Sequence, residues 1–129
     1  MAAEEPLTLP LEALLERADL TSARQDFLER NRLDRRRSRR REHRLPLLVY
    51  GSDPEKQPFH EEVHTLEMND RGCSLLLESE VTPGQRLYLI NARDQALECR
   101  VVRVGKRMRG KARASLELIA PEAHFWRAD

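Results

Sequence analysis

The residues predict a mainly β protein: a six-stranded antiparallel barrel with an N-terminal helical extension and a short C-terminal helical element. Three observations carry this. Apolar residues recur at helical spacing before Asp34 but alternate with a period of two from Leu45 onward. Six short apolar runs then follow one another, separated by clusters rich in Gly, Pro, Asn and Asp. The last run, Lys111 to Ile119, sends Ala112, Ala114, Leu116 and Leu118 to one side and Arg113, Ser115 and Glu117 to the other.

The elements follow in chain order. Residues 1–33 form the helical extension, where Leu11, Leu14, Leu15, Phe27 and Leu28 mark helical spacing. Pro10 suits a first helical position, and Thr21 or Ser22 can cap a second helix, so two short helices or one broken near Leu20 are expected. A docking or dimerising role for this extension stays open. Residues 34–44, "DRRRSRRREHR", are a linker too charged to be buried and without an apolar stripe. The barrel domain, residues 34–129 with the linker counted in, supplies candidate strands at 45–51, 59–68, 73–79, 85–91, 97–105 and 111–119. Between them lie the turn signals "GSDPEKQP", "NDRG", "TPG", "NARDQ" and "RMRG". Pro121 ends the last strand, and Phe125 and Trp126 in the tail are expected to plug one barrel end.

Bulk composition narrows function only by exclusion. The 129 residues carry 23 Lys and Arg against 22 Asp and Glu, so net charge selects no partner. Its distribution does: nine arginines fall between Arg30 and Arg44, opposed only by Asp34 and Glu42. No apolar run approaches the roughly 18 residues of a membrane span. The acidic N-terminus lacks the layout of a secretory signal, which makes a cytoplasmic location the expectation. Cys73 and Cys99 sit in separate alternating runs and read as small core residues in a reducing compartment.

One motif invites a metal reading. His60-Glu61-Glu62-Val63-His64 fits H-E-x-x-H, whose histidines share a zinc ion only when a helix sets them one turn apart. Here Pro58 precedes the motif, and Val63 and Thr65 favour a strand. On a strand the two histidines stand about 13 Å apart at about 3.3 Å per residue. Zinc, with ligand bonds of about 2 Å, does not bridge that distance. His124 is the only later histidine, and nothing downstream offers a third ligand on a helix. Serine nucleophile motifs, phosphate-cradling glycine loops and zinc-type cysteine pairs are absent, so the chain carries no signature of an enzyme and no metal or cofactor set.

The arginine cluster before a barrel, together with "LEMNDRG" between two of its strands, points instead to ligand binding. The guanidinium fork holds a phosphate through two hydrogen bonds, and its face stacks on a purine. Arginines four apart can clamp a nucleotide's phosphate and base, with Gly72 permitting a tight turn beside them. The segments "RRRSRRREHRLPLLVYG", "HTLEMNDRGCSLLL", "TPGQRLYLIN", "ECRVVRVG" and "GKARASLELIAPEAHFW" together resemble a PilZ domain over about Asp34 to Trp126. The resemblance implies the PilZ-type six-stranded barrel and, for many members, binding of the bacterial second messenger cyclic di-GMP in signal transduction.

In that family the ligand is held by R-x-x-x-R before the barrel and by D/N-x-S-x-x-G between the second and third strands. Four residues typically separate the second arginine from a Leu-Pro pair; Arg40, with Leu45-Pro46, has that spacing, so the pair is Arg36 and Arg40. A register one residue off, or Arg40 with Arg44, also fits the run. By resemblance these two arginines stack on guanine and reach the phosphates, with Arg35, Arg37 or Arg39 able to assist. Aligned on Gly72, the second motif places Glu67 at its first position and Asn69 at its serine, so only the glycine is retained. Glu67 keeps a carboxylate for guanine N–H groups one methylene further out, and Asn69 keeps hydrogen-bonding ability with more bulk.

Three functions compete on these observations. The first is a non-catalytic cyclic di-GMP receptor or adaptor, in which ligand capture orders the linker and passes the signal through the helices to a protein partner. The second is a degenerate PilZ-like interaction module that does not bind the nucleotide. The third is an arginine arm for nucleic acid, disfavoured by the balanced overall charge and the lack of interleaved aromatics.

Overall fold

The computed structural model describes residues 18–32 and 44–120. Within them lie one helix, α1 (Ala18–Arg30), and six strands: β1 (Pro46–Ser52), β2 (Pro58–Asn69), β3 (Gly72–Leu77), β4 (Arg86–Asn91), β5 (Ala96–Val104) and β6 (Ala112–Leu118). The strands close into an antiparallel barrel in the order β1-β2-β3-β6-β5-β4. Each sequence-predicted strand is present, with ends shifted by no more than a couple of residues. Closure comes from β1, which pairs with β2 on one side and with β4 on the other, Leu47 opposite Asn91 and Tyr50 opposite Tyr88. A closed barrel leaves no unpaired sheet edge.

The barrel interior is one apolar cluster that includes Leu47, Val49, Leu75, Leu89, Val101 and Leu116. A second, smaller cluster lies outside the barrel, where α1 sets Leu20 and Phe27 against Leu48, Tyr50 and Ile90. Leu20, Ala23 and Phe27 fall at i, i+3 and i+7, so one face of α1 meets the sheet. This second cluster explains why β1 is buried from Pro46 through Gly51 without alternation: one face lines the barrel and the other lies under the helix. Full burial of a side chain such as Phe27 stabilises by about 2–3 kcal/mol.

Polar ties hold the middle and the C-terminal end of the helix. Arg24 donates to Asp94 Oδ1 at 2.7 Å. Arg30 pairs with Glu62, and Asn31 Nδ2 donates to Phe27 O at 2.8 Å and to Glu62 Oε2 at 3.1 Å. The described helix begins at Ala18, so whether an earlier helix breaks off near Leu20 lies outside the described residues. Thr21 and Ser22 lie within the helix that starts at Ala18 rather than capping one, because the adjacent Leu20 is already helical and buried on the docking face while Thr21 and Ser22 stay exposed. The C-terminal helical element, with Phe125 and Trp126, and the helical signals before Ala18 lie outside the described residues.

Candidate functional site

A β-bulge sets up the outer face of the barrel. Along β2, alternation buries Val63 and Thr65, and continued alternation would turn Glu67 inward. The pairing of β2 with β3 instead shifts register between Thr65 and Glu67, so Glu67 opposes Ser74 and points outward. Past it, Asn69 Oδ1 accepts from the backbone N–H of Arg71 at 2.7 Å and of Gly72 at 3.1 Å, which closes the hairpin between β2 and β3. Gly72 follows where β3 meets β6. A Cβ there would lie 1.9 Å from Leu116 O, so no larger residue fits without separating the strands.

These residues line an outer cleft of about 580 Å³ together with Arg71, Val102 and Glu117. Its two carboxylates are paired with neighbouring arginines. Arg113 Nη2 on β6 donates to Glu67 Oε1 and to Ser74 Oγ, both at 3.1 Å, spanning β3 to do so. Arg100 pairs with Glu117 at 3.4 Å. The start of β1 lies at the same barrel end: Leu45 N donates to Thr65 Oγ1 and Thr65 N donates to Leu45 O, each at 2.9 Å. The chain therefore passes from the arginine run through Arg44 into the barrel beside the end of β2 that leads to the cleft.

Of the sequence-predicted ligand residues, Glu67, Asn69 and Gly72 converge on this cleft. Arg36 and Arg40, with Arg35, Arg37 and Arg39, lie outside the described residues. Arg113 was not singled out by the sequence, because its contact with Glu67 crosses an intervening strand and joins residues 46 apart.

The H-E-x-x-H match falls on strand β2, with His60 and His64 both exposed on its outer side. Its two glutamates have structural partners. Glu61 accepts from Glu78 N at 2.7 Å, Ser79 N at 3.1 Å and Ser79 Oγ at 2.9 Å, capping the loop after β3. Glu62 holds the end of α1. Among the described residues no group of His, Cys, Asp and Glu is placed to hold a metal ion. Both cysteines are free and buried. Burial pushes the Cys73 thiol up to about 12 and raises that of Cys99 as well, with Cys73 adding to the latter, so neither is an activated nucleophile. No described helix is long and apolar enough to cross a membrane.

Comparison of the chain with protein-family models and with curated proteins finds no match.

Proposed function

We propose that the protein is a non-catalytic receptor or adaptor of the PilZ type that binds cyclic di-GMP between its arginine-rich linker and the outer cleft. The observation that carries this reading is the convergence of Glu67, Asn69 and Gly72 on one cleft at the barrel end where β1 begins. A purine edge rich in N–H donors suits the Glu67 carboxylate, and the phosphates suit the arginines at 35–41. Ordering of the linker by the ligand would act on α1, whose last turn is tied to β2 through Glu62, and α1 would carry the signal to a protein partner. Isothermal titration tests the reading. Cyclic di-GMP is expected to bind the full chain, and Arg36→Ala or Arg40→Ala to weaken it at least tenfold; absence of heat at tens of micromolar protein sinks it.

A second reading has its own support. Glu67 already pairs with Arg113, the Asn69 carbonyl oxygen already serves the turn, and Gly72 is required by strand packing alone. A barrel whose motif residues all have internal partners suits a PilZ-like interaction module without nucleotide. Partner capture that is unchanged by cyclic di-GMP, with no heat in the titration, selects this reading.

A further inference from the structure

The end of the barrel opposite the cleft bears a cationic prong. From Arg100 to Arg113 the chain carries seven Lys and Arg and no acid. Residues 105–111 of this β5–β6 hairpin are all exposed, and Met108 at its tip is 67% exposed.

The prong is preorganised. Met108 and Lys111 exchange backbone hydrogen bonds of 2.7 and 3.1 Å around a two-residue turn, in which Arg109 (φ 56°) and Gly110 (φ 81°) take left-handed conformations. Arg107 braces it, donating to Gly110 O at 2.6 Å and to Glu78 O at 3.2 Å. Those acceptors are carbonyls, so the Arg107 charge stays uncompensated. Among the described residues Arg103, Lys106, Arg109 and Lys111 have no ion-pair partner. The adjoining loop contributes Glu78 and Glu80, and neither carboxylate pairs with a hairpin cation.

We propose that this hairpin docks the barrel on an anionic lipid surface, with Met108 entering the headgroup layer inside a ring formed by Lys106, Arg107, Arg109 and Lys111. Clustered cations supply attraction to anionic headgroups, and an apolar side chain at the tip gains by leaving water at the interface. Nucleic acid would satisfy the cations but leave Met108 in solvent, and the hairpin has no aromatic side chain on which a base could stack. A folded acidic partner would have to enclose a fully exposed convex tip, whereas a fluid headgroup layer conforms to it. The inference does not depend on whether the cleft takes a nucleotide.

The buried native thiols make the test selective. In the full-length Met108→Cys variant a polarity-sensitive thiol dye labels the hairpin tip, because Cys73 and Cys99 are 8% and 0% exposed. An Asp70→Cys variant carries the same dye at the cleft end. Phosphatidylglycerol-containing vesicles are expected to shift the emission of the dye at position 108 to the blue, while pure phosphatidylcholine vesicles do not and the dye at position 70 stays unshifted. Replacing Lys106, Arg109 and Lys111 by Gln, with Arg107 and the arginines of residues 35–41 kept, is expected to weaken binding about fivefold per cation, and more so at low salt. These three residues are exposed and form no ion pair among the described residues. The proposal is overturned if the dye at position 108 stays unshifted while the protein still sediments with anionic vesicles. It is equally overturned if the triple variant binds as before, or if duplex DNA or polyglutamate shifts the dye as strongly as the vesicles do.

Discussion

Glu67 and Arg113 form an ion pair of 3.1 Å that reaches across the intervening strand β3, with Ser74 as the middle contact. The pair engages the carboxylate that a guanine edge would use. With side chains 77% and 51% exposed, it contributes about 0–1 kcal/mol. Arg113→Ala should therefore leave the melting temperature nearly unchanged. On the proposed function it should tighten cyclic di-GMP binding by up to about fivefold, since a ligand at Glu67 would no longer compete with Arg113. Glu67→Ala should weaken binding by a similar or larger factor. Titration calorimetry on both variants, beside thermal melts, checks the pair; weaker binding in Arg113→Ala would show that the guanidinium contacts the ligand instead.

Gly72 is required by the packing of β3 on β6. Its α-carbon sits so close to β6 that an added methyl meets Leu116 O at 1.9 Å. Gly72→Ala is expected to cost about 2–4 kcal/mol in urea unfolding, with or without nucleotide, because the β3–β6 ladder must part to admit it. Gly110→Ala provides the contrast. Nothing lies within 4 Å of its added methyl, and only its left-handed backbone resists, so about 1–2 kcal/mol is expected.

These two positions also mark what the residue pattern reveals and what it hides. The strands and their turns were legible because alternation and turn chemistry are local: "NDRG" reads as a hairpin, and Asn69 closes it. The bulge after Thr65 was not, since a register shift leaves no compositional trace, yet it turns Glu67 to the outer face. The pairing of β1 with β4 and the docking of α1 are long-range packing choices. Their only local sign was the unbroken apolar run of β1, which is covered on both faces. That Glu67, Asn69 and Gly72 line one cleft was anticipated only through the spacing of a resembled motif, not through their chemistry. The cations at 105–111 are not legible as a patch in the sequence, because only the hairpin turn at Arg109 and Gly110 gathers them at one exposed tip.

Tyr50 lies under α1, stacked on Tyr88 at 5.7 Å between ring centroids, and its hydroxyl finds no hydrogen-bond partner among the described residues. Burial pushes its phenol up to about 12, against an ordinary value of 10.0. A pKa raised on folding means that its contribution to stability is complete below about pH 10. It is lost as pH rises from there through about 12, because the unfolded chain ionises first. Tyr50→Phe removes an unpaired buried polar atom and should leave stability at pH 7 equal or up to about 1 kcal/mol higher. Melts between pH 9 and 12 should show the wild type falling more steeply than the variant. Parallel curves would mean that the hydroxyl reaches solvent.

The helix is held by one apolar face and a few polar ties, which makes its docking separable from the barrel. Phe27 is fully buried against Leu48, Tyr50 and Ile90, and Phe27→Ala removes the largest of those contacts, at a cost of about 3–5 kcal/mol to the docked state. A helix of 13 residues is marginal without tertiary support, so the lost contact should undock and unwind α1 rather than unfold the sheet. Far-ultraviolet dichroism should lose helical signal, and a hydrophobic dye should bind the uncovered face of β1 and β4. Amide protection in the barrel interior, around Leu75, Leu89 and Val101, should persist. Glu62→Ala, which cuts the ties to Arg30 and Asn31 but leaves the apolar face, should produce the same change in smaller measure, about 1–2 kcal/mol. If α1 relays occupancy of the cleft to a partner, these two variants should also uncouple the relay while leaving nucleotide affinity within about threefold, since neither residue lines the cleft. Loss of helix and barrel protection together in Phe27→Ala would mean that the two clusters form one cooperative unit, with α1 fixed rather than movable.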